Sequence, residues 1–282
     1  MTVRTAIVVE GGAMRGIFTA GVLDRLHELG LTDFDLAIGT SAGACNLASF
    51  VAGQYGRNLR CYLNVMARRE FFSLRRALRG GHYMDLDWLW DRFAAEEPLD
   101  EAAIERARTQ LVSVATCIRT GEAVYMHARG PRIHDDLKAG CALPFLYRGP
   151  VALGDRRLVD GGLVDPIPVE EAYRRGARRI LVVRTRPSHV VKRNNAFTRP
   201  VSRLLYRTPA LSRASLETAL RYQQAVGWVQ SPPGDATVLE LAPEAPLKTK
   251  RTTQDKVCLQ ADYDLGFVSV SRSADRLRAM FA

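Results

Sequence analysis

The segment IGTSAGACN, residues 38–46, sets Ser41 between Gly39 and Gly43 at the end of a short apolar run. A parallel strand that turns directly into a helix leaves its turn residue at the carboxyl edge of the sheet. There it stands above a helix N-terminus whose N–H groups face any negative charge that develops. Gly-x-Ser-x-Gly in that setting is a nucleophile elbow, and its glycines keep side chains out of a crowded turn. A second glycine-rich turn, EGGAMRG at residues 10–16, follows another apolar run. Backbone N–H groups of such a turn can hydrogen-bond an oxyanion, and Gly12 and Ala13 are small enough to let a substrate approach the chain.

A serine hydroxyl at neutral pH needs a base. The five histidines, His27, His82, His127, His134 and His189, lie in no recognisable motif. The chain order serine, acid, histidine of an α/β-hydrolase leaves only His189, and that fold needs several strands before its elbow. Only one strand precedes Ser41 here, so a classical triad is not expected. Asp160, in RRLVDGG, closes another short strand. A carboxylate within hydrogen-bond reach of the serine can act as its base, and partial burial raises its proton affinity. An aspartate before glycine also serves as a turn or N-cap residue, and the residues alone leave both uses open.

The elements that must position these groups follow from pattern. TAIVV (residues 5–9) reads as a buried strand, and residues 16–29 carry Ile17, Ala20, Leu23 and Leu26 at helical spacing up to a cap at Gly30. Residues 35–38 read as the second strand and 44–52 as the helix after it. Both glycine turns therefore open at one edge of a parallel pair. Residues 53–110 read as mostly helical. A hairpin is expected over 111–127, a helix over 132–142, and strands at 151–153, 156–159, 179–184 and 236–241. Further helices are expected after Pro166 and Pro168, over 211–228 and from Tyr263 onward. Pro187 to Pro209 reads as a long basic loop, the most mobile part of the chain.

At 282 residues the chain can bury a full core, and no stretch approaches the roughly 18–20 apolar residues that span a bilayer. No secretory pattern opens the sequence, which makes the cytoplasm the expected location. The five cysteines are scattered, without a Cys-x-x-Cys pair, so reduced thiols are expected rather than a disulfide framework or a zinc site. Net charge is +10, and no acidic residue occurs from Ala172 to Leu216, a span rich in arginine. Such a stretch suits an anionic membrane surface or a solvated face. Without a nucleic-acid-binding motif beside it, no nucleic-acid partner is expected.

Taken together, GGAMRG, GTSAG and DGG, in this order and spacing, resemble the patatin-like phospholipases over roughly residues 5–185. AGCALPFLYRGPVALGDRRLVDGGLVDPIPV is similar to that family's approach to its aspartate. The resemblance implies a three-layer α/β fold with a mostly parallel central sheet flanked by helices. It implies a serine lipid acyl hydrolase of phospholipase A or esterase type, working without histidine, metal or cofactor on a lipid ester or phospholipid. Ser41 corresponds to the nucleophile and Asp160 to its base. The Gly12 and Ala13 amides correspond to the oxyanion hole, with Arg15 as the accompanying basic residue. Gly11, Gly16, Gly39, Gly43, Gly161 and Gly162 support the motifs. The expected organisation is a catalytic core over 1–186, with 187–282 a basic loop and a C-terminal α/β extension packed on the same domain. One departure is Ala13, where the family usually has a third consecutive glycine. Two other classes compete: a lipid-binding protein with a degenerate site, and a nucleotide-binding module. The latter lacks the Lys-Ser/Thr of a phosphate loop after Gly16, where Ile17 and Phe18 stand.

Overall fold

The computed structural model describes residues 4–190 and 208–281; most of the basic Pro187–Pro209 segment therefore lies outside the described residues. The strands are β1 (Thr5–Val9), β2 (Leu36–Thr40), β3 (Gln110–Cys117), β4 (Ala123–His127), β5 (Val151–Leu153), β6 (Arg156–Asp160), β7 (Arg179–Val183) and β8 (Thr237–Leu241). The helices are α1 (Gly16–Glu28), α2 (Ala42–Val51), α3 (Arg57–Arg60), α4 (Leu74–Leu78), α5 (Leu86–Glu96), α6 (Glu101–Arg106), α7 (Ile133–Cys141), α8 (Val169–Arg174), α9 (Pro209–Gln230) and α10 (Lys256–Phe281). Among the described residues, no helix is long and apolar enough to cross a membrane.

All eight strands join one sheet of order β5-β6-β3-β2-β1-β7-β8, with β4 paired to β3. β3, β2, β1, β7 and β8 are mutually parallel, whereas β4 and β6 run antiparallel to β3 and β5 antiparallel to β6. The central strands are unbroken apolar runs because both of their faces are covered. Ile7, Val9, Ala37, Leu181 and Val183 face a core completed by α1, α2 and α10. Ala6, Val8, Leu36, Ile38, Ile180 and Val182 face a second core completed by α8 and α9. The result is the three-layer α/β architecture, helices on sheet on helices.

Several boundaries differ from the sequence reading. Gly39 and Thr40 continue β2, pairing with Ser113 and Val114, and α2 begins at Ala42. A strand can pass straight into a helix here because Ser41 alone makes the turn, at φ 56° and ψ −132°. The last helix starts at Lys256, before Tyr263, because its first turns pack on the aromatic cluster through Leu259 and Tyr263.

α10 lies along α1, and two glycines set how close they come. A Cβ on Gly21 would sit 2.0 Å from the Tyr263 carbonyl oxygen, and one on Gly266 would sit 2.0 Å from the Phe18 carbonyl oxygen. Backbone meets backbone at both points, so neither helix can yield by rotating a side chain. Gly21→Ala and Gly266→Ala are each expected to cost about 1–3 kcal/mol through overpacking. Thermal unfolding should show each midpoint several degrees below that of the parent chain.

Candidate active site

β3 is the shared scaffold of the site. β4 occupies one edge of it over Val112–Thr116, so β2 and β6 must share the other edge, end to end. Thr40, the last residue of β2, pairs with Val114; Asp160, the last residue of β6, pairs with the next residue, Ala115. The two strands approach from opposite directions and stop facing each other, which brings Ser41 and Asp160 to one place. Both line the same cleft, together with Gly11, Gly12, Ala13 and Arg15.

Each partner is held rigidly. Asp160 donates its N–H to the Ala142 carbonyl at 3.0 Å, and its own carbonyl accepts from Thr116 Oγ1 at 2.8 Å. Its carboxylate is almost fully buried, at 2% exposure, and Oδ1 accepts the Gly162 N–H at 2.7 Å. Across the gap, Thr40 Oγ1 donates to the Asp165 carbonyl at 2.8 Å and ties the end of β2 to the loop after Asp160. Ser41 is 6% exposed.

The motif glycines are points of close approach. A Cβ on Gly39 would lie 2.6 Å from Ala44 N, and one on Gly43 would lie 2.7 Å from the Val9 carbonyl oxygen. On Gly161 it would lie 2.3 Å from the Val114 carbonyl oxygen, and on Gly16 2.2 Å from the Tyr62 hydroxyl. On Gly11 it would fall 2.8 Å from the Thr40 carbonyl oxygen and 3.1 Å from Ser41 Cβ, so the first glycine loop rests against the elbow itself. Ala13 takes φ 50°, the left-handed conformation that glycine adopts without penalty. The loop thus keeps its shape at a cost of about 1–2 kcal/mol. Neither the Gly12 nor the Ala13 backbone N–H finds a backbone or side-chain acceptor among the described residues.

Two cavities meet at Ser41, Ala13 and Leu143. One is the polar cleft of about 300 Å³. The other, of about 60 Å³, is lined chiefly by Met66, Phe71, Met84, Leu86, Leu89 and Phe93. Its wall also holds Cys45 and Cys141, whose sulfurs lie 3.4 Å apart. The hydrogen bond with Cys45, together with burial, pushes the Cys141 thiol well up; nearby Asp160 adds to this and a hydrogen bond with Ser41 opposes it. All five cysteines are free thiols.

Several cleft residues were not singled out from sequence: Glu10, Arg186, Ser215, Thr218, Tyr222 and Arg251. Glu10, 3% exposed, accepts from Thr185 N at 2.7 Å and from the Tyr222 hydroxyl at 3.2 Å. Arg186 was legible in principle, because β7 is parallel to β1 and must end at the same edge. Of the histidines, none lines the cleft. In the acid-free stretch, Arg174 and Arg175 pair with Glu171, Arg178 with Asp235 and Arg184 with Glu240. That part of the basic run is thus largely neutralised by carboxylates from outside it.

A doubly covered, mostly parallel sheet with a serine at a strand-to-helix turn defines an α/β protein of the patatin-like class. The chain belongs to the patatin-like phospholipase family, which matches residues 7–173 and places it among the lipid hydrolases. Residues 208–282 match a separate domain of unknown function, DUF6363. The uncharacterized protein YjjU of Escherichia coli K12 is 35% identical over 93% of this chain and 75% of its own length. An uncharacterized NTE family protein of Mycobacterium tuberculosis H37Rv is 26% identical over 59% of this chain and 44% of its own. Lysophospholipase NTE1 of Debaryomyces hansenii is 28% identical over 63% of this chain but 11% of its own. Among solved structures, VipD from Legionella pneumophila aligns with 96% of this chain and 67% of its own, at 13% identity and a TM-score of 0.43.

Asp165 supports the loop that carries Asp160, and its side chain accepts the Tyr125 hydroxyl at 2.7 Å. Burial raises its carboxyl to about 6; the Tyr125 hydrogen bond opposes the rise and Glu170 adds to it. A carboxyl raised in the folded state binds more protons there than in the unfolded chain, so its favourable contribution is lost as pH climbs through about 6. Asp165→Asn should therefore be close to neutral near pH 4 and stabilise by up to about 3 kcal/mol above pH 7. The gap in thermal midpoint between variant and parent should widen across that interval.

Proposed function

We propose that the protein is a serine acyl hydrolase that cleaves carboxylic esters of lipids through a Ser41–Asp160 dyad. The observation that carries this reading is the meeting of β2 and β6 on one edge of β3, at the junction of the two cavities. Asp160 takes the Ser41 proton as Oγ attacks the ester carbonyl carbon. The tetrahedral oxyanion is held by the Gly12 and Ala13 N–H groups, which have no competing acceptor among the described residues. As the intermediate collapses, the alcohol leaves with the proton from Asp160, and the acyl group stays on Ser41. Water then gives a proton to Asp160, attacks the acyl-enzyme and releases the acid, and the proton returns to Ser41.

The apolar cavity beneath Ser41 receives the acyl chain, and the polar cleft receives the alcohol. Arg15, as in the family motif, flanks the oxyanion loop. The reading is of a cytoplasmic enzyme that meets anionic lipid surfaces through the basic segment after Pro187. Its binding to anionic vesicles should weaken as salt is raised.

Ser41→Ala and Asp160→Asn should each lower hydrolysis of a p-nitrophenyl acyl ester by about 10³-fold or more while leaving the thermal midpoint near that of the parent. A fluorophosphonate probe should label the parent chain and not Ser41→Ala. Full turnover in either variant, or labelling that survives the loss of Ser41, would rule out the dyad. An unlabelled parent chain would point instead to a lipid-binding protein with a silent site.

A further inference from the structure

Two thiols meet beneath the nucleophile, and the acyl-transfer steps use neither. Cys45 Sγ and Cys141 Sγ stand 3.4 Å apart in the wall of the apolar cavity that opens at Ser41. Cys45 lies in the first turn of α2, where its N–H points back to the Ser41 carbonyl at 3.4 Å. Cys141 closes α7, and the next residue, Ala142, accepts the Asp160 N–H at 3.0 Å. The Cys141 side chain also shares a hydrogen bond with Ser41. The pair therefore spans the dyad. One sulfur is on the helix that follows the nucleophile, and the other is beside the carbonyl that holds the base.

The two thiols are not equivalent. Cys45 is partly exposed, whereas Cys141 is buried. The hydrogen bond with Cys45, together with burial, pushes the Cys141 thiol well up and keeps it protonated. Oxidation follows exposure and thiolate character, so the first attack falls on Cys45. Cys141 is then already in contact, and proximity offsets its small thiolate fraction. The helices that carry them have little room. A Cβ on Gly140 would lie 2.6 Å from Ser113 Oγ and 3.0 Å from the Val114 carbonyl oxygen. One on Gly43 would lie 2.9 Å from the Glu10 carbonyl oxygen. Each helix is thus seated against neighbouring strands close to its cysteine, and neither can slide freely towards the other.

We propose that Cys45 and Cys141 form a peroxide-responsive dithiol whose closure to a disulfide suppresses hydrolysis at Ser41. This rests on the acyl-hydrolase reading and adds regulation to it. Hydrogen peroxide converts the Cys45 thiol to a sulfenic acid and releases one water. Cys141 Sγ then attacks the Cys45 sulfur, the S–O bond breaks, and hydroxide leaves with the Cys141 proton as a second water. Two thiols give up two electrons in all, and the peroxide takes them. The sulfurs must close from 3.4 Å to about 2 Å. With both helices seated, that movement is taken up at Ser41 and Ala142, and the Cys141 sulfur is drawn away from Ser41. A misplacement of about 1 Å at a catalytic group costs on the order of 100-fold in rate. A bridge formed against such resistance is readily reduced, which makes the change reversible.

The test treats the full chain, reduced and then freed of reductant, with millimolar hydrogen peroxide. Ester hydrolysis is followed alongside non-reducing peptide mapping by mass spectrometry. A Cys45–Cys141 linkage should accumulate as p-nitrophenyl ester hydrolysis falls by about tenfold to a hundredfold, and dithiothreitol should reverse both. Cys45→Ser and Cys141→Ser, each measured against its own untreated rate, should lose the reductant-reversible inhibition, whereas Cys117→Ser should keep it. Circular dichroism checks the fold of each variant, and the linkage map of the parent chain decides the matter even where a variant fails to fold. Absence of the linkage in a chain that hydrolyses the ester overturns the switch and leaves the hydrolase standing. So does a linkage that forms without a change in rate, or a reversible inhibition that persists in either Cys45→Ser or Cys141→Ser. A reduced parent chain that neither hydrolyses the ester nor takes the fluorophosphonate probe would remove the hydrolase reading and the switch with it.

Discussion

The site depends on one strand being longer than its neighbour. β3 continues past the last residue of β2, and β6 fills the vacated edge from the opposite direction. Backbone hydrogen bonds to a common strand fix both ends, so the separation of Ser41 and Asp160 is set by ladder geometry rather than by flexible loops. Residues more than a hundred positions apart are thereby held as neighbours, and the entropy of bringing them together is spent in folding rather than in binding substrate. Gly161 belongs to the same constraint, because any side chain there would meet the β3 backbone at Val114 and push β6 away.

Conformational strain is concentrated at the same place. Ser41 and Ala13 are both non-glycine residues at positive φ, one on each of the two turns that form the cleft floor. Such conformations cost about 1–3 kcal/mol each and persist only when the surroundings over-determine them. Here the surroundings do so. Gly11 lies against Ser41, Gly43 against the Val9 and Glu10 carbonyls, and Tyr62 reaches the Ala13 carbonyl at 3.4 Å. Alanine in place of a third glycine is accommodated because the turn is imposed from outside rather than chosen by the residue.

Much of this was legible in the sequence where local pattern and chemistry coincide. Short β-branched runs ended by glycines gave β1 and β6, and the parallel order of the first two strands put both glycine turns on one edge. Ser41, Gly12 and Ala13 stand out because short motifs occupy strand ends, and the family resemblance adds Asp160 as the base and Arg15 to the same group. The cysteine pair, Tyr222 and Arg251 could not be found that way. Cys45 and Cys141 meet through the packing of α2 on α7, and Tyr222 arrives on a helix from the opposite layer. Arg251 sits in a segment without periodicity, positioned by hydrogen bonds to Met14 and, through Thr249, to Asp262. Composition alone does not show how the acid-free stretch is compensated: Arg174 pairs with Glu171 on its own helix, just before the stretch, while Arg178 and Arg184 find Asp235 and Glu240 far along the chain.

The buried charges join the two halves of the chain more firmly than their separate family matches suggest. Glu10 follows β1 and would be a costly buried anion on its own. Its partners are Thr185 after β7 and Tyr222 on α9, while the Tyr222 hydroxyl also accepts from Arg184 Nη2 at 3.0 Å. Arg184, with no exposure, is in turn neutralised by Glu240 on β8 at 2.6 Å. A chain of hydrogen bonds thus runs from the first glycine loop through α9 and Arg184 to β8. Removing any member leaves another buried polar group without its partner, a larger penalty than the pair's own net worth. The C-terminal region therefore acts on the first glycine loop from two sides, through this network and through the Arg251–Met14 contact, and the shape of the cleft is a property of the whole sheet.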